Sequence, residues 1–203
     1  MNDSPFDQLK WLGKNENPFG FVCLDCRSFT HAMLSHTQDP LIAKRFSELR
    51  LVTGEEYRWT HPSNAVIGSC SLKYPAIRSP NDGPLFKATV MEEKWDIYRY
   101  EGVLYFSRSW TGDLVFTANM KINNEALNLY SIEADAEVAS KDTLFIVQQV
   151  DFLIKSHIFH KLAPHPLPPD LPNDIRTIAL YSFSQYGSRA SFATYEDTIA
   201  VSL

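Results

Sequence analysis

The chain has 203 residues, 44% hydrophobic and 21% charged, a composition that suits a packed globular fold and excludes a disordered chain. Its formal charge is −5, with no basic stripe of the kind nucleic-acid binders carry. No apolar run approaches the roughly 18 residues a bilayer crossing needs, so neither nucleic acid nor membrane is an expected partner.

The negative charge is unevenly placed. Residues 92–142 hold ten carboxylates against five basic side chains, while the remainder balances at fourteen of each. One segment carries the whole excess, and a complementary partner would be basic. Three cysteines are too few, and odd in number, for a disulfide framework. The opening MNDSPFDQLKWLG lacks the charged and apolar regions of a secretion signal. Cytoplasm is the expected location. No low-complexity linker divides the chain, and a single α+β domain over residues 1–203 is expected.

In chain order, the first segment reads as helical and irregular, with a short strand in FGFVCLD (19–25). Asp39-Pro40 opens a helix, Asp as cap and Pro in the first turn. Leu41 or Ile42, Phe46 and Leu49 form its apolar stripe. Residues 53–64 are a loop, 65–74 a strand, and 75–84 a Pro- and Gly-containing connection. From Leu85 to Ala134 the pattern is a meander whose reversals fall at Glu101-Gly102, Thr111-Gly112 and Asn123-Asn124. Asp142 caps a long helix reaching about Phe159, with Asp151 and Lys155 as an i,i+4 pair. APHPLPPDLP (163–172) runs extended, with His165 on the surface. Residues 174–195 fit either a helix stopped by Gly187 or a hairpin, and the helix is preferred. The sum is an α+β fold: an antiparallel β-meander of about five to six strands, with a long C-terminal-half helix packed on one face and N-terminal helices.

If all three reversals contain two residues, the register follows by counting. Tyr98 faces Tyr105, Trp95 faces Arg108, and Ser107 faces Phe116. Tyr98, Tyr100, Val103, Tyr105, Leu114, Phe116, Ala118, Met120, Leu127 and Leu129 then share a core face. The second face carries Trp95, Ile97, Arg99, Leu104, Phe106, Arg108, Trp110, Val115, Tyr130 and Ile132. A half-solvated sheet should be polar there, so something covers this face, whether the N-terminal helix, a partner or a second copy of the chain.

The chemical leads are weaker. Cys23-Leu-Asp-Cys26 has redox spacing, but Asp25 would raise the thiol pKa; a zinc site would need Cys70 with His61 or His31, and packing is the preferred reading. His157 and His160 share a helix face, with His165 just beyond; a metal site is conceivable, yet cationic imidazoles at a helix C-terminus are the simpler account. Nucleophile elbows and phosphate-cradling glycine motifs are absent from the sequence. No cofactor and no metal are expected.

These residues lead to a cytoplasmic protein-binding module, an antidote or regulatory protein meeting a basic partner. Its binding residues are expected to be Trp95, Arg99, Phe106, Arg108, Trp110, Asp113 and Tyr130, residue types suited to contact hot spots, with Asp113 on the acidic rim. A structural role for the Trp95–Arg108 cation–π pair is the competing account. The alternative function is a hydrolase using Arg108 as anion clamp, Asp96 or Asp113 as base, and a histidine from 157–165 as proton shuttle.

Overall fold

The computed structural model describes residues 4–77, 81–123, 126–137 and 142–199. The chain divides into two compact units. Residues 37–91 and 95–147 form a sheet unit; residues 1–36, 92–94 and 148–203 form a terminal unit. No helix among the described residues is long and apolar enough to cross a membrane.

The sheet unit is built on six antiparallel strands: β3 (Val66–Pro75), β4 (Gly83–Phe86), β5 (Trp95–Tyr100), β6 (Val103–Arg108), β7 (Leu114–Ile122) and β8 (Ala126–Ala134), in spatial order β3-β8-β7-β6-β5-β4. The meander forms because apolar runs alternate with short reversals. Glu101 and Gly102 both take positive φ, 49° and 81°, the backbone of a type I′ turn that matches strand twist. That turn fixes the β5–β6 register as counted, with Trp95 opposite Arg108 and Tyr98 opposite Tyr105. Gly102→Ala should cost about 1 kcal/mol in urea unfolding, since a Cβ at this φ is strained. A loss above about 3 kcal/mol would mean that the Met120 carbonyl oxygen, 3.4 Å from the added carbon, cannot yield.

The next reversal departs from the count. Arg108 N–H donates to Asp113 O at 2.9 Å, and Gly112 N–H donates to Arg108 O at 2.8 Å, so four residues, Ser109 to Gly112, make the loop. The register then shifts between Phe106 and Ser107, which pair with Phe116 and Leu114. A bulge moves every later side chain to the other face. Phe116 therefore stacks on Trp95, centroids 5.5 Å apart, and meets Phe106 edge-on at 6.3 Å. Ala118 follows it, opposite Leu104 and Ile132. The apolar layer thus lies on the Trp95 side, where burying an aromatic of this size contributes about 2–3 kcal/mol. The third reversal falls partly outside the described residues.

The opposite face near β5 and β6 packs a second cluster, Tyr57, Tyr98, Tyr100 and Tyr105 with Val103 and Leu114. Helix α2 (Pro40–Leu49) begins at Asp39, whose carboxylate accepts from Leu41 N. Its inward stripe is Ile42, Phe46 and Leu49, and Leu41 points to solvent. Helix α3 (Thr143–Leu153) begins where Asp142 accepts from Leu144 N at 2.9 Å. Its first turn crosses the sheet at Gly68, where an added Cβ would lie 3.7–3.8 Å from Thr143 and Val147. Gly68 pairs with Ile132, so this helix covers the Trp95 side.

In the terminal unit, β1 (Lys10–Leu12), β2 (Cys23–Asp25), β9 (Pro164–Pro166) and β10 (Phe192–Thr194) form a small sheet of order β1-β2-β10-β9. The proline-rich run supplies β9, paired parallel to β10 at the sheet edge, where missing N–H groups are tolerated. This pairing buries His165 completely, correcting the expected surface position. Residues 27–30 form the short helix α1, and Ile175–Tyr186 form α4, capped by Asp174, which accepts from Thr177 N at 2.8 Å. The helix of the two tail alternatives is the one observed. Gly187 ends it at φ 66°, ψ −144°, and an added Cβ there would overlap the Glu92 carbonyl oxygen. The long helix itself widens after Leu153 into a π-turn over Ile154–Ile158.

Candidate functional site

The seven expected binding residues occupy three environments. Trp95 and Phe106 have no exposed surface. Arg108 lies with its guanidinium 4.4 Å from the Trp95 ring centroid, the cross-strand pair that the register implied. Arg99 is buried, donates to Asn81 O and pairs with Asp82 at 3.5 Å. Trp110 is half-buried and donates to Met91 O at 2.9 Å. Asp113 is exposed in the four-residue loop, where it accepts from the Thr111 hydroxyl. Tyr130 is 48% exposed and lies on the other side of the sheet, because β8 carries a second register shift beside it. Lys121, on that side by alternation from Thr117, reaches over its ring at 5.6 Å.

Asp96, the base of the hydrolase alternative, is buried and already engaged. It accepts from Arg50 Nη1 at 2.9 Å, from Arg50 Nη2 at 2.6 Å and from Ala88 N at 2.8 Å. His157, His160 and His165 belong to the terminal unit, and Arg108 and Asp96 to the sheet unit.

A different surface of the sheet unit combines exposure with order. One rung of the sheet runs Ile67, Glu133, Thr117, Tyr105, on the side away from Gly68. Ile67 is 66% exposed, so this end of the face is open. Trp59 lies at the Tyr105 end of the rung, 70% exposed and left-handed at φ 62°. Its backbone N–H donates to the Tyr105 hydroxyl at 3.1 Å, and its indole N–H donates to Glu101 at 2.7 Å. Arg58 lies over the ring at 4.1 Å and also pairs with Glu101. Glu55 and Asp82 add to the negative field at Arg58, and the hydrogen bond to Glu101 chiefly raises its pKa. His61 joins Glu133 at 2.7 Å on the same rung. The sequence predicts only a loop over residues 53–64. The available signal was Arg-Trp within TGEEYRWTHPSN, two hot-spot residue types beside carboxylates without any apolar period to bury them.

The terminal unit holds a cleft of about 390 Å³ over the π-turn, lined by Glu93, His160, Lys161, Leu162, Ser188 and Arg189 among others. Arg189 Nη1 donates to Ser156 O at 3.0 Å and lies 3.2 Å from His160 Nδ1, while Nη2 meets Glu93 at 3.3 Å. His157 and His160 do not converge: His157 is buried, His160 is exposed at φ 52°. Burial drives the His157 pKa down to about 3, aided by the positive charge of Arg189, so the cationic imidazole expected at this helix end is replaced by a neutral one. Lys155 and Asp151 form the expected i,i+4 pair at 2.6 Å, and it is buried.

Cys23 and Cys26 are both buried. Burial pushes each thiol up to about 12, with Glu196 adding to the rise at Cys23, opposite to what a reactive thiolate needs. Among the described residues no three His, Cys, Asp or Glu side chains gather where they could hold a metal ion. No protein-family model matches the chain, and no curated protein or solved structure matches it.

Proposed function

We propose that this chain is a protein-binding module, an antidote or regulator, that receives a basic segment of its partner on the open sheet face around Trp59. The observation that carries this reading is the Trp59 side chain itself. A bulky residue in the left-handed region costs about 1–2 kcal/mol, and an indole 70% exposed returns little of it as burial. The residue is nevertheless held in one orientation by Tyr105, Glu101 and Arg58. An ordered, exposed Trp is the residue type that dominates binding energy at interfaces. Its second ring face can accept a partner cation, and Glu55 and Glu101 outnumber Arg58 around it. Ile67 and Tyr130 extend the contact area along the same face.

Trp59→Gly separates binding from folding. Glycine relaxes the left-handed backbone, offsetting the lost cation–π contact, so urea stability should change by no more than about 1 kcal/mol. Tryptophan fluorescence titration with an arginine-rich peptide should give a salt-sensitive shift that weakens at least about tenfold in the variant. Crosslinked capture from the source cells should enrich a basic protein with the wild type alone. Equal capture by both forms, or an acidic protein as the captured species, would dismiss the reading.

A further inference from the structure

The cleft of the terminal unit gathers three local departures from regular backbone. The long helix widens into a π-turn at Ile154–Ile158, a feature often found at functional sites. His160, immediately beyond, is left-handed at φ 52°. Gly187 takes a conformation reserved for glycine and lets Ser188 N–H reach the Glu92 carbonyl oxygen at 3.0 Å, which sets Arg189 over the π-turn. Of the three only the non-glycine His160 is strained, and such outliers cluster at functional sites; all three border one cleft.

The lining has a consistent chemistry. Arg189, Lys161 and His160 offer cationic or protonatable nitrogens, Ser188 offers a hydroxyl, and Glu93 is the one carboxylate named among the lining side chains. Glu93 meets Arg189 at 3.3 Å, longer than the roughly 2.7–2.9 Å of a strong charge-assisted bond. We infer that this cleft binds the phosphate group of a small phosphorylated molecule, with Arg189 supplying the planar donor edge, Lys161 and His160 the flanking donors, and the remaining volume of the ≈ 390 Å³ cleft holding the organic part. The site is independent of the Trp59 face and stands whether or not that face binds a partner.

Thermal unfolding and calorimetric titration with inorganic phosphate and with ribose 5-phosphate test the assignment on the full chain, against chloride at matched ionic strength. Both phosphates should raise Tm saturably, chloride should not, and the ester should bind at least about tenfold tighter than inorganic phosphate. His160→Gly removes the imidazole while relieving the left-handed backbone, so His160→Gly with Lys161→Ala should fold normally and lose the phosphate response. An unchanged response in that folded variant, a shift equal to that of chloride, or equal affinity for ester and inorganic phosphate would overturn the inference.

Discussion

Asp96→Ala should destabilise the protein by about 3–5 kcal/mol, the cost of leaving a largely buried cation without its partner. Asp96 sits 1% exposed under Arg50, which also donates to Ser109 O at 3.0 Å and to Ala88 O, and whose guanidinium lies 4.5 Å from the Phe46 ring centroid. The same carboxylate faces the Tyr98 hydroxyl and the Lys87 ammonium. Lys87 donates to Val52 O at 2.9 Å and to Tyr98 at 3.3 Å; burial lowers its pKa, and Asp96 opposes that fall. Burial and the Asp96 charge together raise the Tyr98 pKa, so the phenol stays protonated. Removing one carboxylate therefore strands Arg50 and weakens what keeps Lys87 charged. Urea unfolding should show the loss in midpoint, and Asp113→Asn, an exposed control, should stay within about 0.5 kcal/mol. A loss below about 1 kcal/mol at Asp96 would show that the network contributes little to folding. Retained stability with lost turnover would instead revive its role as a base.

Why the Trp95–Arg108 pair was legible and the Phe116 face was not comes down to reversals. Two residues with positive φ at Glu101-Gly102 leave only one way to count β5 against β6. At Ser109–Gly112 the sequence offers Thr-Gly, which resembles a two-residue turn, yet the Arg108 carbonyl closes on Gly112 N–H and the loop takes four. That change alone is even and harmless; the bulge beyond it is odd and inverts the faces. No composition signal marks a bulge at Val115. The helix starts at Asp39 and Asp142 were readable because each carboxylate accepts from a first-turn N–H. The small sheet was not, since strands of three residues are too short to show a period. Trp59 escaped notice for the same reason: its place depends on Tyr105 and Glu101, more than 40 residues away.

Acid should destabilise this protein well above the carboxylate range. His157 and His165 are fully buried, and desolvation lowers each from an ordinary 6.5 to about 3. At His157 the neighbouring Arg189 and His160 charges act in the same direction, and Ser156 Oγ lies 2.8 Å from Nδ1. His165 lies 2.8 Å from Ser182 Oγ, between the Phe152 and Tyr186 rings at 5.5 and 4.9 Å. Above pH 6.5 both imidazoles are neutral in either state, and their burial carries no protonation penalty. Below it the unfolded chain takes up two protons that the folded chain refuses until about pH 3, so stability falls as pH falls. At pH 5 each histidine removes about 2 kcal/mol, together about 4. The carboxylates whose pKa is lowered in the fold, Asp25 and Asp174 among them, act only below the ordinary Asp range near 4, which leaves pH 5 to 6.5 to the histidines. Urea unfolding between pH 7.5 and 5 should lose stability with a slope approaching two protons. His165→Asn, which can still bond Ser182, should reduce that slope by one. A wild type equally stable at both ends of the range would mean that both imidazoles are protonated within the fold, and that their pockets admit water or a counter-charge.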